Sequence, residues 1–554
     1  MYCGDETGSF IGELTSSSCR FGYGGEDCPK SVLSSFMYKD GTIPVSTNKC
    51  YYLKYLKDNK TGDKTSLQDE DIVPIFQSYP RRNTENSKIT DISASTDPND
   101  YLNNGYIENF DAWENAWHKS FQALNVNRKN KHTSGGKFVQ TKRKFSSGIQ
   151  SSTISSTQEN ESGEIIHPIL AIDHGNTHLS PELFTGEKYN NAIIEKQKNT
   201  MLEILYESLS APATFIAPSP MLASFGNGRQ TSLVVDIGAG GTRVTPIVDG
   251  LILQQAQRRN GRGGDWLGAI QERVVQDIIL KKTKNQGNVK AILPRYALGL
   301  SPKHLENVRT SMFHQMAIRD CMYEMKTAPH VNGVAFYRND EWTIPFLKPK
   351  DEDDEDMQET QMEVEDDEDK NESESDDEDE EENVDYDTVS KKSYYLPDGT
   401  KISLEKTKDG KDLCRLNELL FASELPFSSK SSSETTSKAR PVTHSDLPIH
   451  ELIKDSLSAV ADADVRKELC GNIILTGAAS LVTNIEQRLS LETQYLVPGM
   501  YKCKVIASRN SVERRYASWI GASVLSSLGS FQQLWLSRRE YEEYGTTLAS
   551  QRFP

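Results

Sequence analysis

Apolar positions recur along this chain in two rhythms. Short, nearly unbroken apolar runs occur in LVVDIG (Leu233 to Gly238), NIILTGAASL (Asn472 to Leu481) and KCKVIAS (Lys502 to Ser508), and they predict buried strands. Between such runs the apolar residues return at helical spacing, so the pattern as a whole predicts α/β layers. The strongest helical signal is near the C-terminus, where Ile520, Val524, Leu528, Phe531 and Trp535 form one stripe beginning at Trp519. Ser537 and Glu540, three residues apart, then predict a capping box that opens a second short helix.

Two segments share a plan. In VVDIGAGGTRVTPIVDG (Val234 to Gly250) a strand ends on Asp236, small residues follow, and a second strand carries Arg243, seven places after the acid. In FIGELTSSSCRFGYGG (Phe10 to Gly25) Glu13 is followed by Ser16, Ser17 and Ser18, and Arg20 again stands seven places after the acid. Small residues let backbone amides converge on phosphate oxygens, so each turn is a candidate phosphate nest, and the repetition predicts two related lobes around a cleft. Asp249-Gly250 is a plain hairpin signal.

Composition changes the picture in one place. The 554 residues are 36% hydrophobic and carry a net charge of −17. Between Asp351 and Glu382, however, 22 acidic residues stand against the single Lys370, a block of −21 that leaves the remainder at +4. Such a block repels itself and buries no apolar surface, so it predicts a disordered insertion. Two further insertions are predicted at Val126 to Glu164, basic and Ser/Thr-rich with seven Lys and Arg between Arg128 and Lys144, and at Ser428 to Thr443. No run of 18 apolar residues and no basic-then-apolar N-terminus occurs, which predicts an intracellular, soluble protein. The eight cysteines include no Cys-x-x-Cys, which fits reduced thiols and argues against a zinc site.

The C-terminal RRYASWIGASVLSSLGSFQQLWLSRREYEEYG resembles the C-terminal signature of actin and the actin-related proteins. SYYLPDGTKI (Ser393 to Ile402), DADVRKELCGNIILTGAAS (Asp462 to Ser480), WENAWHKSF (Trp113 to Phe121) and LVVDIGAGG extend that likeness in the family's order. About three fifths of the chain is covered, and YCGDETGSF, LILQQ and EYEEYG are most similar to the nuclear, BAF-type branch. The resemblance implies the actin-like, ribonuclease H-like duplicated α/β fold: two lobes, four subdomains and a central nucleotide cleft. The expected division is a first lobe over 1–226, with a small subdomain near 35–87 and the basic insertion 126–164. A second lobe follows over 227–516, with the acidic insertion 350–389 and the Ser-rich insertion 428–443, and C-terminal helices over 517–554 return to the first lobe.

The resemblance also assigns the pocket. It places nucleotide contacts at Ser16, Ser17, Ser18, Arg20, Asp236, Gly238, Gly240, Gly241, Thr242, Gly263, Gly477 and Arg515, and it puts Arg319, Asp320 and Asp265 at the adenine and ribose end. Arg20 stands where the family has a phosphate-binding lysine, Ala239 at the position of a metal-linked aspartate, Arg243 at that of the water-activating histidine, and Ser219 at that of the water-positioning glutamine. Met322 and Tyr323 replace a lysine and a glutamate, and Gly477-Ala478-Ala479 replaces Gly-Gly-Thr. These departures imply ATP as a bound, non-hydrolysed ligand, no catalytic residue and no protein metal ligand, with magnesium left open; a cleft packed by its own side chains is the other state they allow.

Function is then expected on the outside. Phe225, Leu251, Leu525, Leu528 and Leu534 match the positions that receive partner helices in actin-like proteins. The family resemblance implies a non-catalytic nuclear scaffold of chromatin-remodelling or histone acetyltransferase complexes, paired with actin on a helicase-SANT-associated helix. It implies histone or nucleosome contact and neither a membrane nor a small-molecule substrate. A cytoskeletal actin-like ATPase is the alternative from another class, and a sugar kinase or chaperone ATPase would need a substrate-side base that the sequence does not place.

Overall fold

In the computed structural model the described residues are 8–38, 72–75, 107–124, 126, 128–129, 164–174, 187–283, 292–298, 312–328, 331, 333–335, 393–404, 408–423, 447–548 and 552–553. The acidic block 351–382 and the Ser-rich run 428–443 lie outside them, as do 130–163 of the basic insertion. The two ends of that insertion meet, Arg128–Lys129 pairing antiparallel with Glu164–Ile165.

Two mixed six-stranded sheets organise the chain. In the first, β1 (Phe10–Leu14), β2 (Ser18–Tyr23) and β3 (Ser31–Ser34) form an antiparallel meander. β1 also runs parallel to β4 (Ile169–Asp173), which runs parallel to β5 (Ala213–Pro218). The second sheet repeats that plan: β6 (Ser232–Ile237) and β7 (Thr242–Val248) make the antiparallel hairpin, with β8 (Leu251–Ile252) and β9 (Arg258–Asn260) beside β7. β6 is parallel to β10 (Ile473–Thr476), and β10 to β11 (Val505–Ile506). A last strand, β12 (Leu536–Ser537), returns to the first sheet and pairs with β5. β1, β5 and β10 are buried at every position. That is the expected state of strands covered on both faces, and it explains why their sequences run apolar instead of alternating.

Helices cover the sheets for reasons visible in their residues. On α1 (Phe110–Leu124), Trp113, Trp117 and Phe121 fall four apart on one face and bury against Phe10 and Phe21. Trp117 reaches β1 because position 12 is glycine; a Cβ there would stand 2.2 Å from its ring. α2 (Ser219–Gly226) follows β5, while α3 (Gly264–Thr283) and α4 (Met312–Lys326) belong to the second half of the chain. Asp462 caps α5 (Ala463–Gly471), its side chain accepting from the Asp464 amide at 2.8 Å, and α6 (Ile485–Leu496) lies beyond β10. Asp249 and Gly250 take φ of 51° and 80°, the two positive values that the hairpin signal demands.

α7 (Ser511–Arg515) and α8 (Ala517–Ser526) carry the chain back to the first sheet. α8 crosses α2 with Ala223, Val234, Ile247, Ile474 and Ala517 buried together between the sheets. The crossing depends on Gly521, where a Cβ would come within 1.9 Å of the Leu222 carbonyl oxygen. Gly521→Ala should therefore force the helices apart and cost about 1–3 kcal/mol, read as a lowered denaturation midpoint.

The apolar stripe at the C-terminus does not form one helix. α8 stops at Ser526; the Ser527 hydroxyl donates back to the Val524 carbonyl at 2.7 Å, and Leu528 is extended. A serine pair followed by Leu-Gly competes poorly for helix continuation. A single 3-10 turn, Gly529–Gln533, then turns Phe531 and Trp535 into the first core, while Val524 and Leu528 face outward at 44% and 41% exposure. The capping box is present: the Ser537 side chain accepts from the Glu540 amide and Glu540 answers to the Ser537 amide, starting α9 (Arg538–Tyr544).

Candidate functional site

The spacing of seven has a structural cause. Glu13 and Arg20 are cross-strand partners in the β1–β2 hairpin, and Asp236 and Arg243 are partners in β6–β7. Each acid therefore ends the first strand with its arginine directly opposite.

The first turn is largely satisfied by its own residues, with only the Ser16 amide of Thr15 to Ser18 lacking an acceptor among the described residues. The Thr15 hydroxyl accepts from the Ser18 amide at 3.1 Å and the Ser17 amide at 3.4 Å, and donates to the Ser18 carbonyl at 2.9 Å. The Ser16 carbonyl accepts from the Ser35 hydroxyl at 2.7 Å, and the Ser18 hydroxyl takes the Arg20 Nε at 3.3 Å. Arg20, which the family resemblance aims at phosphate, turns instead to its cross-strand acid: Nη1 stands 2.8 Å from Glu13 Oε2. The same guanidinium reaches the Arg515 carbonyl at 3.5 Å and lies 4.8 Å over the Tyr516 ring. Glu13 is 1% exposed and also faces His174 Nε2 at 3.2 Å. Burial alone would raise its carboxyl, but Arg20 and His174 outweigh that and hold it at about 2.

The second turn is different. Gly238 donates to the Gly241 carbonyl at 2.9 Å, yet no acceptor among the described residues takes the amides of Ala239, Gly240 or Gly241. This turn is built by close approach: Cβ atoms at Gly263 and Gly241 would stand 2.4 Å from the Gly241 amide and 2.3 Å from the Asn260 carbonyl. Gly477, at φ +95°, passes the end of β6 so tightly that a Cβ would meet Asp236 Oδ1 and the Ile237 carbonyl, each at 2.4 Å. Thr242 is fully buried and its hydroxyl donates to the Arg262 carbonyl at 2.8 Å, so it supports the turn from behind. Arg243 crosses to the first sheet, donating from Nη1 to the carbonyl of His174, the residue after β4. Burial lowers its guanidinium from the ordinary value, and Asp236 and Asp173 oppose that shift. Glu13, Arg20, His174 and Arg243 thus form one chain of polar contacts between the two hairpins.

Where the family resemblance expects adenine and ribose, Arg319 Nη2 pairs with Asp265 at 2.8 Å, and Arg515 Nη2 donates to the Tyr323 hydroxyl at 3.3 Å. Arg515 Nε is buried with no protein partner among the described residues. Met322, which stands at a lysine position of the family, is buried, but Lys326 one helical turn later brings Nζ to the Gly264 carbonyl at 2.7 Å. Burial, helped by Arg319 and opposed by Asp265, drops this ammonium to about 8. Ser219 is buried at the head of α2. His174, Tyr516 and Lys326 were missed in the sequence. The carboxylate-histidine pair ending LAIDH and the i, i+4 step from Met322 are the signals that would have found two of them. Among the described residues no three His, Cys, Asp or Glu side chains converge to hold a metal.

On the outside, Phe225, Leu251, Leu528 and Leu534 are 37%, 66%, 41% and 50% exposed, whereas Leu525 is half-buried against the first core. Phe225 is on α2 beside the Gly226–Gly521 crossing, and Leu528 and Leu534 flank the 3-10 turn Gly529–Gln533. Leu251 begins β8, whose Ile252 packs on the cluster beneath that crossing.

From residue 4 to residue 554 the chain matches the actin family. It is 27% identical to the actin-related protein 4 of Oryza sativa subsp. indica over the whole of both chains. With the actin-related protein 4 of Schizosaccharomyces pombe it shares 26% over 99% of this chain and 96% of the relative. With that of Debaryomyces hansenii it shares 30% over 64% of this chain and 73% of the relative. The duplicated hairpins, the crossing of α2 and α8 and the full-length match agree: the chain belongs to the actin family, and within it is similar to the actin-related proteins 4.

Proposed function

We propose that this protein is a non-catalytic nuclear scaffold subunit of chromatin-remodelling or histone acetyltransferase complexes, one that pairs with actin on a helicase-SANT-associated helix. The observation that carries the reading is the exposed apolar set Phe225, Leu251, Leu528 and Leu534 around the α2–α8 crossing. Apolar side chains gathered at one helix crossing suit the anchors of an amphipathic helix. The acidic tract between Asp351 and Glu382 supports histone contact, because Lys/Arg-rich tails are attracted to it at low salt and released as salt screens the charge.

Nucleotide binding is part of the same proposal. The free amides of Ala239, Gly240 and Gly241, with Arg515 Nε and Lys326 nearby, fit the phosphates and sugar end of ATP. Bound ATP supplies charge for the second turn to hold. Water activation is what these residues lack: Ala239 carries no carboxylate, Ser219 is buried, and Arg243 is spent on the His174 carbonyl and is no base. Each lost contributor is worth about one or more powers of ten. Phosphate release from magnesium-ATP should stay at the buffer background; release that rises in proportion to protein concentration would favour the ATPase reading. Native mass spectrometry of the same sample reads whether nucleotide is held.

A further inference from the structure

Away from the cleft, the structure brings together two cysteines that the functional reading does not use. Cys470 lies in the last turn of α5 and is fully buried; Cys503 precedes β11 and is half-buried, packed against the same core cluster. Backbone bonds fix their neighbourhood. The Lys504 amide donates to the Cys470 carbonyl at 3.0 Å, the Lys504 carbonyl accepts from the Ile473 amide at 3.0 Å, and the Cys503 amide is held by Gln494 Oε1 at 2.9 Å. Cys503 lines a cleft of about 510 Å³ together with Glu486, Ser490, Leu491, Lys504 and Val505.

We propose that Cys503 and Cys470 form a peroxide-responsive thiol pair, with Cys503 as the attacking sulfur and Cys470 as the resolving one. The Cys503 thiolate attacks one oxygen of a peroxide; the O–O bond breaks, the leaving hydroxide takes up a proton to become water, and the sulfur becomes a sulfenic acid. The Cys470 sulfur then attacks that sulfur as the S–O bond breaks, and hydroxide leaves with the Cys470 proton as a second water. Two thiols and one peroxide give one disulfide and two waters; a dithiol reductant reverses the step by becoming a disulfide itself. The bond would staple the end of α5 to the entry of β11, the edge strand of the second sheet.

The thiols divide the work in the required sense. Cys470 is sealed in the core, whereas Cys503 borders the cleft from which a peroxide reaches it. Burial raises Cys19, and it raises Cys321 to about 11, so those thiols stay protonated and inert. The Cys414 thiol is directed at the Leu404 carbonyl at 3.8 Å.

The test uses the full chain, reduced, then exposed to dilute hydrogen peroxide, alkylated and mapped by peptide mass spectrometry without reductant. The expected result is one cross-linked peptide joining Cys470 to Cys503, lighter by two hydrogens and lost on adding a dithiol. In Cys470→Ser the sulfenic acid at Cys503 should accumulate and be trapped by dimedone; in Cys503→Ser no dimedone adduct should form at Cys470. In the unoxidised protein Cys503 should be alkylated at least about tenfold faster than Cys19. Cys503 that remains fully alkylatable after peroxide, or a disulfide from Cys503 to any other cysteine, overturns the proposal. Mapping of the unsubstituted chain decides this even if either variant folds poorly.

Discussion

Replacing Leu528 with aspartate should abolish capture of the helicase-SANT-associated helix while leaving the fold intact. Leu528 is 41% exposed at the head of the 3-10 turn, so its carboxylate variant stays hydrated in the free protein and the denaturation midpoint should not move. On binding, the new charge would be taken out of water against an apolar helix face with no partner, and the apolar anchor would be lost as well. A central anchor is worth ~2–4 kcal/mol, so affinity should fall by roughly thirtyfold to a thousandfold. Leu525→Asp is the informative contrast. That side chain packs on the first core, and its substitution should lower stability as well as binding. Helix capture by Leu528→Asp at the affinity of the unsubstituted chain would remove this surface from the account.

Glu13→Ala should be among the most damaging single substitutions in the chain. It leaves Arg20, 7% exposed, without its carboxylate at 2.8 Å and takes away the group that faces His174. Removing one member of a buried ion pair costs about 3–5 kcal/mol, chiefly because the other charge is stranded. The pH dependence follows from the direction of the shift. The Glu13 carboxyl is held at about 2 against an ordinary 4.5, so its contribution is complete above the ordinary value and is lost as pH falls from there towards 2. The difference corresponds to stability on the order of 3 kcal/mol. Denaturant midpoints measured between pH 6 and pH 3 should decline in the parent protein and decline less in Glu13→Gln; equal slopes would show that the carboxylate is not held down.

The sequence was most informative where short-range geometry decides. Glu13 with Arg20 and Asp236 with Arg243, seven apart around a tight turn, became cross-strand pairs because a hairpin leaves them no other register. Ser537 with Glu540 became a capping box for the same local reason. What eluded the sequence was long-range or rested on competition between near-equal choices. The stripe from Ile520 to Trp535 keeps its period through Ser527 and Leu528, and periodicity alone does not register the serine hydroxyl that ends the helix. His174 meets Glu13 and Arg243 only after separations of more than sixty residues, and Lys326, one turn of α4 beyond Met322, meets the Gly264 carbonyl. The repeated plan of acid, turn and arginine was therefore legible, whereas the way its charges neutralise one another was not. Arg20 is held in a protein ion pair, and among the described residues the second turn leaves three successive amides, Ala239 to Gly241, without an acceptor.

We propose that this protein works by assembly. The most direct test is purification of the tagged full-length chain from nuclei, with identification of every co-purifying chain. The expected result is actin together with a remodeller or acetyltransferase scaffold that carries a helicase-SANT-associated helix, both lost with Leu528→Asp. Recovery of the protein without actin and without such a scaffold would contradict it.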